Sequence, residues 1–323
     1  MTDKPTLLID SHYIGHQAHY TLGDLSHEDV ATGVVFGFLS RVLSLGLQFK
    51  TNDIVFCWDS KHSYRKRKYP WYKEHRRTYK DGEEESLRIL HQQLRLLRKE
   101  ILPGIGFANQ LFQKGCESDD LMAKVVMGKL GEWVIVTADE DLWQCLASNT
   151  RVYNPSQKKM MTHRRLRDEH GISPREWAMA KAIAGCPSDS VPGVPGVGMK
   201  TAIKYLRGEL PETYKTYKAI VSEKDIYTRN RQLVFLPISK TREPDIVANH
   251  FSVEGFREMC EKYGLESFLQ EAMLANWEAL FSGVITESST SMYHRKGKVR
   301  APRRRKQRAK DKTADDQGLI HGM

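Results

Sequence analysis

The chain has 323 residues, 40% of them hydrophobic and 9% aromatic, with a formal charge of +10 and a sequence pI of about 9.2. That is enough apolar material for two domains or one large one, which argues against a disordered or fibrous protein. Five scattered cysteines (Cys57, Cys116, Cys145, Cys186 and Cys260) form no C-x-x-C pair, which argues against a zinc ribbon or disulfide framework and fits a reducing compartment.

No basic and apolar leader opens the sequence, and no apolar run approaches a membrane span, so the expectation is a cytoplasmic, membrane-free protein. The charge is concentrated. Residues 294–312 hold 11 Lys or Arg and one acid, leaving 39 basic and 39 acidic residues elsewhere. Residues 286–323, which open on a linker-like Ser and Thr run, read as a disordered basic tail attracted to nucleic acid.

Taken in order, Thr6-Leu7-Leu8-Ile9-Asp10 is a short apolar run ending in an acid, as a buried parallel strand would. A helical pattern follows around residues 30–47. Asp53-Ile54-Val55-Phe56-Cys57-Trp58-Asp59 is a second such strand, and Trp133-Val134-Ile135-Val136-Thr137-Ala138-Asp139-Glu140-Asp141 a third. Strands alternating with helices imply an α/β fold with a mainly parallel sheet, whose ligands bind beyond the carboxyl ends of the strands. Asp10, Asp59, Asp139 and Asp141 lie at such ends.

Between the second and third strands, Lys61, Arg65, Lys66, Arg67, Lys68, Lys73, Arg76, Arg77 and Lys80 are interleaved with Tyr64, Tyr69, Trp71, Tyr72 and Tyr79. A charge run is usually a solvated face, but cations mixed with aromatics suit phosphates and unstacked bases. Leu87, Leu90, Leu94, Leu97 and Ile101 then recur at spacings of three and four, a core-facing helix stripe. Glu117-Ser118-Asp119-Asp120 places three carboxylates at the start of another helix. Acids are favoured at a helix N-terminus, yet three of them at one spot repel, and a hard divalent ion with oxygen ligands relieves that repulsion. Together with the strand-end acids they predict a carboxylate-lined metal pocket.

Ser173-Pro174-Arg175-Glu176 has a helix start's cap, Pro and acid in place. Residues 185–202 are dense in Gly and Pro and predict a hairpin of tight turns leading into a helix from Met199. Gly193 and Gly198 have P-loop spacing, but Met199 stands where that motif needs Lys, so ATP binding is discounted. A helix-hairpin-helix clamp on a nucleic-acid backbone is the stronger reading.

These motifs, in this order, resemble the flap endonuclease/5′–3′ exonuclease family, closest to stand-alone phage-type and bacterial members and to the exonuclease domain of bacterial DNA polymerase I. The motifs are Leu8-Ile9-Asp10, Trp58-Asp59 with Arg65 and Tyr72-Lys73, Glu117-Ser118-Asp119-Asp120, Thr137-Ala138-Asp139-Glu140-Asp141, and Asp189 with Pro192-Gly193-Val194-Pro195-Gly196-Val197-Gly198 and Lys200-Thr201. The resemblance implies a PIN-like nuclease domain over residues 1–172 with a helical arch at about 60–105. It also implies a helical domain with a helix-three-turn-helix over 173–285.

It implies two Mg²⁺ ions, which Mn²⁺ replaces, and a K⁺ at the hairpin. Asp59, Glu117 and Asp119 would hold the first ion, with Asp10 acting through water; Asp120, Asp139, Asp141 and Asp189 would hold the second. Tyr72, Lys73 and Arg76 would stand beside the scissile phosphate. Arg65, Lys66, Gly193, Gly196, Gly198, Lys200 and Thr201 would contact DNA. The implied activity is a structure-specific 5′-nuclease on DNA ends, flaps and nicks, extending to RNA in RNA–DNA hybrids. The chain would act as a monomer in the cytoplasm or nucleoid, with a polymerase or single-strand-binding protein in trans. The alternative is a non-catalytic, structure-specific DNA-binding protein. One departure stands out: Cys186 occupies a position where many relatives carry Asp, and a soft thiol is a poor Mg²⁺ ligand.

Overall fold

The computed structural model describes residues 4–23, 25–27, 30–74 and 83–286. Strand β1 (Thr6–Asp10) runs into helix α1 (Ser11–Leu22), and the short pair β2 (Ser26–His27) and β3 (Val30–Ala31) leads to α2 (Gly33–Phe49). Then follow β4 (Ile54–Cys57), α3 (Tyr64–Lys68) and α4 (Glu83–Leu96), the last continuing through a π-helical turn (Leu97–Ile101) into α5 (Leu102–Ile105). After β5 (Gln110–Leu111) come α6 (Ser118–Gly128), β6 (Trp133–Val136), a 3₁₀ helix (Glu140–Cys145), β7 (Thr150–Asn154), β8 (Lys159–Met161) and α7 (His163–His170). The remainder holds α8 (Pro174–Ala184), the hairpin β9 (Gly185–Cys186) and β10 (Val191–Pro192), α9 (Met199–Leu206), α10 (Lys215–Ser222), α11 (Lys224–Val234), α12 (Val253–Lys262) and α13 (Glu271–Ser282).

Six strands form one sheet in the order β5-β4-β1-β6-β7-β8, parallel except for the last pair. Side chains alternate across a strand, so each strand feeds two cores. Leu7, Ile9, Ile54, Phe56, Val134 and Val136 face one, with α1, α2 and α4; Leu8, Val55, Cys57 and Ile135 face the other, with α6, α7 and α8. Both faces are covered, which explains why the strands read as unbroken apolar runs. Because β1, β4 and β6 are parallel neighbours, their carboxyl ends bring Asp10, Asp59 and the 139–141 loop to one edge.

Two expectations need revision. The arch does not extend to residue 105, because Leu90, Leu94, Leu97 and Ile101 are buried in the sheet core. Nor do residues 173–285 pack as one helical unit. Helices α8–α11 share their own small core around Ala180, Val194, Ala202 and Ile220, whereas Phe256, Phe268, Trp277 and Leu280 of the last helices complete the core beneath β1. The tail lies outside the described residues. Among the described residues no helix is long and apolar enough to cross a membrane.

Candidate active site

Each strand-end acid is fixed by short-range bonds. Asp10 caps α1 by accepting from the Tyr13 amide (3.1 Å), while its other oxygen accepts from Thr137 Oγ1 (2.9 Å). Asp59 accepts from the Ser118 amide (2.7 Å), which ties β4 to the start of α6. Asp139 caps the 3₁₀ helix by accepting from the Asp141 amide (2.8 Å). From the hairpin, Asp189 presents Oδ2 to the Tyr72 hydroxyl (3.3 Å), which is also 3.2 Å from Glu117 Oε2.

Two ammonium groups stand among these acids. Lys73 Nζ lies 2.7 Å from Glu117 and 3.8 Å from Asp189, and Lys181 Nζ lies 2.6 Å from Asp141. Lys73 adopts a left-handed backbone (φ 54°), and its amide donates to the Asp189 carbonyl (2.9 Å), which ties Lys73 to the hairpin. Among the described residues no three His, Cys, Asp or Glu side chains converge tightly enough to enclose an ion. A divalent cation on Glu117 or Asp189 would compete with Lys73, and one on Asp141 with Lys181.

The charge is far from balanced. Burial, followed by Asp59, pushes the Asp10 carboxyl up to about 7. Burial and then Asp141 push Asp139 up to about 6, and burial with Asp139 and Asp10 nearby raises Asp119. Glu117 is the opposite case: burial works upward, but Lys73 and Arg65 outweigh it and bring its carboxyl down to about 2. Hard oxygen donors with uncompensated negative charge fit a divalent ion such as Mg²⁺.

A pH dependence follows. Asp10 and Asp139 hold protons in the fold at pH values where the unfolded chain, with carboxyls near 3.8, has released them. Their contribution to stability is therefore complete below about pH 4 and lost as the pH rises through 6 to 7. In EDTA, thermal melts should show stability falling across that window, and Mg²⁺ should raise the midpoint more at pH 8 than at pH 5. A shift of equal size at both pH values would refute this.

Several expected residues are placed differently. Asp120 is fully buried, with Oδ2 2.6 Å and Oδ1 2.8 Å from the Arg65 guanidinium. It also accepts from the Ile238 and Glu117 amides, so its lone pairs are committed. Arg65 is correspondingly unable to reach DNA, being 4% exposed and spent on Asp120 and the Leu233 carbonyl (2.8 Å). Lys66 is half-buried on α3. Arg76 lies outside the described residues.

In the hairpin, Gly193 is structural, since a Cβ there would meet the Ala184 carbonyl oxygen at 2.0 Å. Gly196 and Gly198 have nothing within 4 Å of that position, and Gly198 caps α9 without a side-chain bond, leaving the helix start open. Lys200 beside it is exposed, and Thr201 is half-buried with its amide bonded to the Gly198 carbonyl. Cys186 is buried against Tyr72, Val191 and Leu233, its thiol pushed up to about 12 by burial and then by Asp141.

Sequence reasoning missed Lys181, whose signal was a lysine between Ala180 and Ala182, buried residues of an otherwise apolar helix. It also missed that residues 199–242 hold ten Lys or Arg against four acids, so basic charge is not confined to the tail.

The family model described as the 5′–3′ exonuclease N-terminal, resolvase-like domain matches residues 5–171, more than half of the chain. The chain belongs to that family. Among curated relatives, a 5′–3′ exonuclease of Buchnera aphidicola is 27% identical over 259 residues, covering 78% of this chain and 83% of its own. DNA polymerase I of Mycobacterium tuberculosis is 30% identical over 215 residues; the match covers 63% of this chain but only 23% of the polymerase.

Solved structures agree on the fold of this exonuclease-family chain. T5 5′-exonuclease with bound divalent metal ions (zinc) aligns at TM-score 0.61 and 15% identity, over 86% of this chain and 98% of its own. Human GEN1 in complex with Holliday junction DNA aligns at 0.53 and 14%, over 86% and 73%.

Proposed function

We propose that the chain is a two-cation 5′-nuclease that hydrolyses phosphodiester bonds near the 5′ ends of DNA at flaps and nicks, and of RNA in RNA–DNA hybrids. The observation that carries this reading is the set of carboxylates gathered at one sheet edge, from buried Asp10 through half-buried Asp59 and Asp119 to solvent-facing Asp139, with mutual repulsion among Asp10, Asp119 and Asp139 that no neighbouring cation fully offsets. Asp10, Asp59, Glu117 and Asp119 would hold one Mg²⁺, and Asp139, Asp141 and Asp189 the other, with Mn²⁺ as a substitute. Bound there, the ions would supply hydroxide near neutral pH and stabilise the departing oxygen.

The residues of the chain do the rest. Lys73, released from Glu117, offsets charge on the phosphoryl group, and Tyr72 orients it from between Glu117 and Asp189. The open start of α9, with Lys200, holds the DNA backbone, and a K⁺ on hairpin carbonyls extends that grip. With Cys186 supplying no carboxylate, the second ion binds more weakly than the first. The protein works as a monomer.

A single time course tests the assignment, using 5′-labelled flap, nicked duplex and RNA–DNA hybrid with Mg²⁺ or EDTA. Short 5′ products should form only with Mg²⁺ and disappear in Asp139→Asn. Undiminished cleavage in EDTA would sink the reading. Tight, structure-specific binding without cleavage in either Mg²⁺ or Mn²⁺ would establish the non-catalytic alternative.

A further inference from the structure

Both carboxylate-bearing elements are anchored to one short stretch of backbone at and just past the end of α11. On the near side, Arg65 Nε donates to the Leu233 carbonyl (2.8 Å) while its guanidinium holds Asp120, which also accepts from the Ile238 amide (3.0 Å). Asp120 in turn accepts from the Glu117 amide (3.2 Å), so α6 is fixed at the residues that present Glu117 and Asp119.

On the far side the link is Gln144. Its Nε2 donates to the Asp141 carbonyl (2.8 Å) and to the Val234 carbonyl (3.0 Å), and its Oε1 accepts from the Leu236 amide (2.9 Å). Both amide hydrogens and the oxygen are therefore spent on holding the 3₁₀ turn of Asp141 to residues 234–236. A 3₁₀ turn has poor internal hydrogen-bond geometry, so an external tie matters more there than in an α-helix. The hairpin is gripped from the same helix: fully buried Asn230 donates from Nδ2 to the Ala182 and Pro192 carbonyls, both at 2.9 Å.

We propose that residues 233–238 set the spacing between the two carboxylate groups, and that Gln144 is the positioning residue of the far one. The one possible metal ligand of Gln144, its Oε1, is taken by the Leu236 amide, so it acts through the backbone of Asp141. The inference rests on the two-cation reading above. Partners that orient metal ligands in this way are worth about 10–100-fold in metal affinity.

The test is Mn²⁺ binding to the metal-free full chain, followed by calorimetry and by the electron paramagnetic signal of free Mn²⁺. Wild type should show two classes of site, one of which is lost in Asp141→Asn. Gln144→Met, which keeps the bulk and removes the bonds, should weaken that same class about 10–100-fold and leave the other within about twofold. On flap DNA its kcat should fall while KM holds.

An unaltered far-class midpoint in folded Gln144→Met would overturn the proposal. A single class in wild type would overturn the two-cation reading and this inference with it. If Gln144→Met fails to fold, hydrogen exchange on wild type decides: the Leu236 amide should be among the slowly exchanging ones, and exchange at open-loop rates would overturn the proposal.

Discussion

Replacing Lys73 with Ala is expected to make the protein bind Mn²⁺ more tightly and turn over more slowly. The two effects have opposite signs because Lys73 has two successive jobs. Before an ion arrives, its ammonium group sits 2.7 Å from Glu117 and holds that carboxyl near 2 against its own burial, so it competes with a cation for the same oxygen. Removing it should tighten Mn²⁺ binding in the absence of DNA roughly tenfold, equivalent to about 1.4 kcal/mol. In the proposed mechanism the displaced ammonium would then donate to the phosphoryl oxygens during cleavage, and losing one such donor costs about 10²–10³ in kcat. Mn²⁺ titration and single-turnover cleavage check the pair. Weaker Mn²⁺ binding in Lys73→Ala would show that the lysine supports the ion instead of competing with it.

The second large effect is on stability. Arg65→Met removes the partner of a carboxylate with no exposure, and breaking one side of a buried pair costs about 3–5 kcal/mol. Urea unfolding of the metal-free protein should show that loss, while the folded fraction keeps its DNA affinity within about twofold. Arg65→Met with Asp120→Leu should recover much of it, because no buried charge is then left unpaired. If Arg65→Met instead unfolds like wild type and loses DNA affinity with a flatter salt dependence, Arg65 is a phosphate contact after all.

What the sequence revealed depended on whether the relevant physics is local. Asp10, Asp59 and Asp139 were legible because a buried parallel strand is an apolar run and its last residue marks the sheet edge. The start of α8 was legible for the same reason: the Ser173 and Glu176 capping bonds are both present, within four residues of each other. Asp119 and Asp120 show where local reading misleads. Consecutive residues on a helix point about 100° apart, so both could not face the same pocket, yet nothing nearby says which one turns inward. The partner that decides it, Arg65, lies 55 residues away. Residues 233–238 left no trace because their bonds to Arg65, Gln144 and Asp120 use backbone groups, which every residue type except proline supplies in full. The packing of α12 and α13 was equally illegible, because a helical segment does not name the surface it covers.

That last packing arrangement has a consequence for how the protein is made. Lys4 donates to the Gly283 carbonyl (2.8 Å), and Trp277 and Leu280 close the core under Leu7, Phe38 and Phe56. The residues just before the first strand are thus tied to the end of the last described helix. On a ribosome adding about 5–20 residues per second, the interval between their synthesis is on the order of tens of seconds. Throughout it the outer sides of α2 and α5, on which α13 and α12 pack, have no final cover. The nascent chain spends that time with part of its core uncovered, and that core closes only once the last described helix has been made.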